Sequence, residues 1–153
     1  MEYEITNGIL TARMGSRGAQ LLSLTLGGVE YVWPGGDAWG WSAPVCCPWC
    51  GAVEGGEFVH AGRRYAAARH GFVRDCEHEL ASRSAGQLTF ALTIGEGDAR
   101  WPWPFELTAR FKLDADTLML TYTLSNEGKE KMPLQLGFHP GFIAPAGSVI
   151  RAE

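Results

Sequence analysis

Between Leu88 and Leu124 apolar residues fall on every second position within each of three runs, and this alternation constrains the fold more than any other feature of the chain. Leu88, Phe90, Leu92 and Ile94 alternate with Thr89, Ala91 and Thr93. Phe105, Leu107, Ala109, Phe111 and Leu113 repeat the rhythm, and Leu118, Leu120, Tyr122 and Leu124 resume it after Asp114-Ala115-Asp116. Successive side chains of a strand point to opposite faces, so a single apolar face at period two predicts strands covering a core on one side. The short polar break predicts that the last two runs form a long antiparallel hairpin.

Shorter strands are expected over residues 9–14, 19–26 and 29–33, separated by the turn formers Gly15-Ser16-Arg17-Gly18 and Gly27-Gly28. Residues 58–65 read as a hairpin turning at Ala61-Gly62, 77–83 as one more strand, and 132–138 as the last clear one, with a further strand beginning near 148–151. The stretch from Pro34 to Gly56 is rich in Gly, Pro, Trp and Cys and shows neither period, so it is expected to be long, irregular and functional. No window sustains a helical repeat between caps. The expected fold is therefore all-β, an antiparallel β-sandwich forming a single domain over residues 1–153.

Composition removes several function classes. Hydrophobic residues are 46% and charged residues 20%, which allows a packed core and argues against long disorder. A net charge of -4 with scattered basic residues gives no footprint for nucleic acid. No apolar run approaches the ~18 residues of a membrane span, and Met1-Glu2-Tyr3-Glu4 does not open a signal peptide, so no membrane partner and a cytoplasmic location are expected. Cys46, Cys47, Cys50 and Cys76 include a Cys-x-x-Cys spacing suited to zinc or redox chemistry, but no second ligand pair follows. Buried apolar thiols outweigh that reading, and no metal site is assigned.

Two clusters carry chemistry. Arg69-His70-Gly71-Phe72-Val73-Arg74-Asp75 and Gly137-Phe138-His139-Pro140-Gly141-Phe142 each set a histidine beside Gly or Pro, where a side chain can leave a sheet and face a cleft. Histidine titrates near neutrality and so transfers protons without a large pKa shift. A lone histidine is more often structural; two of them with an aromatic-rich loop are a better case for a site. Trp39, Trp41, Trp49, Trp101 and Trp103 include candidates for stacking on sugar rings, with core burial the expected role of most.

In order and spacing these segments resemble the N-terminal half of aldose 1-epimerases, galactose mutarotase-like proteins, and among them a bacterial branch of LacX-like proteins. The resemblance rests on Gly18-Ala19-Gln20-Leu21-Leu22-Ser23-Leu24, Ala43-Pro44-Val45 leading to Gly51, Gly55-Gly56-Glu57-Phe58, the two histidine clusters, and Pro102 and Phe105. It implies an isomerase on a large β-sandwich that interconverts the α and β anomers of a free aldose with no cofactor. His139 then corresponds to the general acid on the ring oxygen, and His70 to the histidine that holds the sugar and polarises that oxygen. Arg74, Asp75 and Phe138 are expected as further substrate contacts.

There are departures from the pattern. Ala52 stands where the family usually carries a sugar-gripping arginine. The family's glutamate base and a sugar-binding aspartate lie in a later half, so the domain is expected to be truncated on its C-terminal side. Glu153, at the terminus, is not expected to replace that base. Mutarotation by this chain alone should then be weak, and the alternative is a non-catalytic carbohydrate-binding module of the same fold. A monosaccharide is the expected partner, and few clustered Lys and Arg near the histidines favours a neutral sugar over a sugar phosphate. Unpaired sheet edges make a homodimer an expectation too.

Overall fold

The computed structural model describes residues 1–151. The chain begins with β1 (Glu2–Thr6), β2 (Leu10–Gly15), β3 (Gln20–Leu26) and β4 (Val29–Glu30), an antiparallel sheet of four strands in chain order. An irregular stretch follows, broken by β5 (Val45–Cys46), and then a hairpin of β6 (Glu57–His60) and β7 (Arg63–Ala66). A second four-stranded antiparallel sheet is built from β8 (Glu79–Arg83), β9 (Gln87–Ile94), β10 (Phe105–Asp114) and β11 (Thr117–Asn126). Last comes β12 (Gly137–Phe138), which pairs antiparallel with β5 across some ninety residues of chain.

The long hairpin forms as its alternation requires. Phe105 pairs with Asn126 and Asp114 with Thr117, so Ala115-Asp116 is the turn. Along β9 and β10 every second residue is buried: Leu88, Phe90, Leu92, Ile94, then Phe105, Leu107, Ala109, Phe111 and Leu113. Their neighbours Thr93, Glu106, Arg110 and Lys112 face water, as in an antiparallel sheet with one solvated side.

That single apolar face serves two cores. At one end Leu88, Phe90, Ala109, Phe111 and Leu113 pack on Ile5, Leu10, Ala12, Met14 and Leu21 of the first sheet, closing the sandwich. At the other end Leu92, Ile94, Phe105 and Leu107 pack on Val45, Cys47, Trp49, Val73, Trp101 and Trp103. The irregular stretch is therefore anchored to a sheet along one side. Burying each such large side chain contributes roughly 1.5–3 kcal/mol relative to leaving it in water. No helix among the described residues is long and apolar enough to cross a membrane.

Three expectations need correction. A strand was not expected at residues 2–6, yet β1 forms there, with Ile5 buried and the whole strand paired to β2. The strand expected over 132–138 shrinks to β12, because its partner β5 is only two residues long and Pro133 has no N–H to give a ladder. Residues 148–151 form no strand. Glu153, set aside as a base, lies outside the described residues.

Candidate functional site

Residues 42–51 lie between the two histidine segments and bond to both through the backbone. On one side the N–H of His139 donates to Pro44 O at 3.1 Å and that of Gly141 to Ser42 O at 2.7 Å, flanking the β5–β12 pairing. On the other side Cys47 N–H donates to His70 O at 3.2 Å, Phe72 N–H to Cys47 O at 3.1 Å, and His70 N–H to Gly51 O at 2.7 Å. One scaffold thus holds two segments almost seventy residues apart, and the His70 and His139 rings meet edge-on with centroids 5.6 Å apart. His70 is half-buried and His139 exposed, so both can be reached from solvent.

Close backbone approach is what puts them there. A Cβ on Gly71 would stand 2.0 Å from Cys47 O, and Gly71 has φ +74°, so no other residue fits beside the scaffold. His70 itself is held at φ +68°, a left-handed conformation that costs a non-glycine residue about 1 kcal/mol or more. Such strain persists where surrounding bonds over-determine it, and here the N–H and C=O of His70 are both fixed to residues 47–51. Across the site a Cβ on Gly141 would sit 2.6 Å from the Trp39 ring. The bare glycine lets that indole through to lie 5.2 Å from His139.

The hydrogen bonds assign the His70 tautomer. Gly51 N–H donates to Nδ1 at 3.0 Å, so in the neutral ring the proton resides on Nε2 and points away from the scaffold. Arg69 Nε–H also points at Nε2, at 3.3 Å, but a neutral ring accepts at one nitrogen only, and the shorter backbone bond to Nδ1 takes precedence. The His70 pKa is lowered by partial burial first, then by the positive charge of Arg74, Arg69 and His139. The ring is therefore a neutral hydrogen-bond donor at pH 7.

The other expected contacts divide. Arg74 sits at the site, partly buried, with its guanidinium 4.8 Å above the Trp41 ring and Nη2 donating to Arg69 O at 2.9 Å. Asp75 Oδ1 accepts from Arg17 Nη2 at 3.1 Å, while Oδ2 is 3.8 Å from Arg74 Nε. Its carboxylate therefore faces two arginines and has no contact with either imidazole. Phe138 has its ring 6.4 Å from that of Tyr122. Trp49, Trp101 and Trp103 are core residues, while Trp39 lies beside His139 and Trp41 beneath Arg74. Arg69, part of the first histidine cluster but not among the expected contacts, lies beside His70.

Cys46, Cys47 and Cys76 are buried, and Cys50 alone is exposed. Burial pushes the Cys47 thiol up to about 12 and raises those of Cys46 and Cys76, so these groups stay protonated and unreactive at neutral pH. The Cys-rich run is scaffold for the histidines. A cavity of about 520 Å³ opens beside it among Trp49, Phe58, Trp101 and Trp103, and neither histidine lines it. The candidate site is taken at the two imidazoles, side chains of a kind that can transfer protons.

The aldose 1-epimerase family model matches residues 1–153. Protein LacX (plasmid) of Lactococcus lactis subsp. lactis is 29% identical over 154 residues, covering 95% of this chain and 52% of that protein. A galactose mutarotase related enzyme from Lactobacillus acidophilus superposes with TM-score 0.89 at 27% identity, over 97% of this chain and 52% of that one. A galactose mutarotase-like protein from Lactobacillus casei gives 0.87 at 29% identity, over 93% and 50%. The chain spans about half the length of the curated relatives it matches. On this matched length and this galactose mutarotase-like antiparallel fold, the chain belongs to the aldose 1-epimerase family.

Proposed function

We propose that the His70–His139 pair binds a free aldose and acts in opening its ring, so that the α and β anomers interconvert. The observation carrying this reading is the edge-on meeting of the two imidazoles at 5.6 Å, with an indole as the wall beside His139. Anomer exchange needs an acid that protonates the ring oxygen as the C1–O bond breaks, and a base that removes the C1 hydroxyl proton. The aldehyde forms, C1 turns, and the ring closes on its other face with acid and base exchanging roles. By family resemblance His139 is the acid. His70, neutral with its proton on Nε2, donates a hydrogen bond to the same oxygen and holds the sugar. Trp39 offers a flat apolar face for the pyranose C–H groups. Asp75 acts through Arg74 rather than on the sugar.

Among the described residues neither imidazole has a carboxylate in ion-pair or hydrogen-bond reach. Missing one partner of an acid–base pair costs about 10²- to 10⁴-fold in rate. Polarimetry on freshly dissolved α-galactose should therefore find slow or no acceleration by these 153 residues. A rate like that of a full-length relative would overturn this assignment of roles.

The same absence supports a second reading, a carbohydrate-binding module that holds a sugar without turning it over. Calorimetry with a monosaccharide panel separates the two, since binding without any faster anomer exchange favours the module.

A further inference from the structure

The cysteines stop being equivalent once the chain is folded. Successive side chains of a strand leave on opposite faces. Val45 and Cys47 accordingly enter the core with Trp49, Val73 and Leu107, and Cys46 leaves on the other side of β5. There it meets Cys50. Both lie over Gly137, the ladder partner of Cys46: a Cβ added at that glycine would stand 2.7 Å from Cys50 Sγ and 3.6 Å from Cys46 Cβ. Cys50 Sγ is 3.9 Å from Cys46 O, and the Cys46 pKa is raised by burial first and then by Cys50. Sequence spacing pairs Cys47 with Cys50; the fold sets Cys46 beside Cys50 over one glycine. Access differs within the pair, since Cys50 is exposed and lines the cavity of about 520 Å³, whereas Cys46 is buried.

We propose that Cys50 is a site of oxidation by peroxide, and that Cys46 resolves it into a reversible disulfide beside His70. In the first step hydrogen peroxide gives one oxygen to the Cys50 sulfur: the O–O bond breaks, an S–O bond forms, and the products are a sulfenic acid and water. In the second the Cys46 sulfur attacks that of Cys50. An S–S bond forms, the S–O bond breaks, and the thiol proton leaves with the hydroxyl as a second water. The two sulfurs give up two electrons, and both peroxide oxygens end as water. Because burial holds Cys46 protonated, the second step is the slow one, and the sulfenic acid lasts long enough to be trapped. A bridge draws residue 50 toward residue 46, and Gly51 follows. Its N–H is the one that His70 Nδ1 accepts at 3.0 Å, and its C=O accepts the His70 N–H at 2.7 Å. Oxidation of the pair therefore reaches an imidazole of the candidate site, whichever sugar that site takes.

Treating the reduced chain with hydrogen peroxide tests this, followed by thiol counting, mass spectrometry and NMR of the His70 ring. Free thiols should fall from four to two, the single chain should lose the mass of two hydrogens, and the His70 resonances should move and return with dithiothreitol. Cys46→Ala should stop at the sulfenic acid, captured by dimedone as one adduct on Cys50, and Cys47→Ala should still close the bridge. Cys50 is exposed, so Cys50→Ser does not threaten folding; it should leave the other thiols free and His70 unmoved at the same peroxide dose. A bridge between two chains, further oxidation of Cys50 with no bridge, or a bridge that persists in Cys46→Ala overturns the pairing. A bridge that leaves the His70 resonances where they were overturns its link to the site.

Discussion

The β9–β10–β11 sheet and the histidine junction are held together in different ways. The sheet follows from local pattern: period-two apolar residues, a two-residue turn, and a register unbroken over ten pairs from Phe105–Asn126 to Asp114–Thr117. The junction has no repeating pattern. Its segments, 42–51, 69–75 and 137–141, are fixed by single backbone hydrogen bonds and by glycines whose missing Cβ atoms let chains touch. A sheet built on pattern tolerates exchange of one apolar residue for another of similar size. A junction built on close approach does not, because there is no room to relax.

Mutations at the two regions should fail in different ways. Phe111→Ala empties a fully buried position in the sandwich core and should cost about 3–5 kcal/mol in denaturant unfolding. Sugar affinity per folded molecule should hold, since Phe111 packs in the core away from the histidines. Gly71→Ala should cost about 3 kcal/mol by the same measurement, from strain at positive φ and collision with Cys47 O. Here sugar binding should be lost even in the fraction that stays folded. If Gly71→Ala kept its affinity, the junction would not be as rigid as its contacts imply.

Acid sharpens the contrast. His78 is buried, with Nδ1 donating to Cys76 O and Nε2 without a partner, and burial lowers its pKa. The His70 pKa is lowered too. Both folded-state values lie below the ordinary 6.5, so the unfolded chain takes up more protons as pH falls through that value, and stability declines there. Thermal unfolding followed from pH 8 to 5 should show the loss, and His78→Phe should remove the His78 share of the slope. The smallest effect belongs to Arg64→Ala, which removes an exposed ion pair with Glu57 on the β6–β7 hairpin. A change of no more than about 0.5 kcal/mol is expected.

How far the sequence could be read follows the same division. β9, β10, β11 and the hairpin turning at Ala61-Gly62 were legible because alternation and turn residues are local signals. β1 was not, since five residues with two apolar positions fall short of a pattern, and only pairing with β2 stabilises the strand. The strand expected over 132–138 failed for the converse reason: an apolar run with no partner of matching length. His70, His139 and Arg74 were singled out by motif, and the fold brings the two imidazoles to 5.6 Å. That Asp75 serves Arg74, that Phe138 turns toward Tyr122, and that Arg69 and Trp39 attend the two imidazoles depend on tertiary contacts that no local pattern encodes.

The chain has four histidines, and their ring proton resonances make the most direct test of whether one sugar meets two of them. Single His→Ala variants assign the signals, and a sugar titration then follows each by NMR. His70 and His139 should shift together along one binding curve while His60 and His78 stay still. Movement of only one of the pair, or separate curves for the two, would contradict the account.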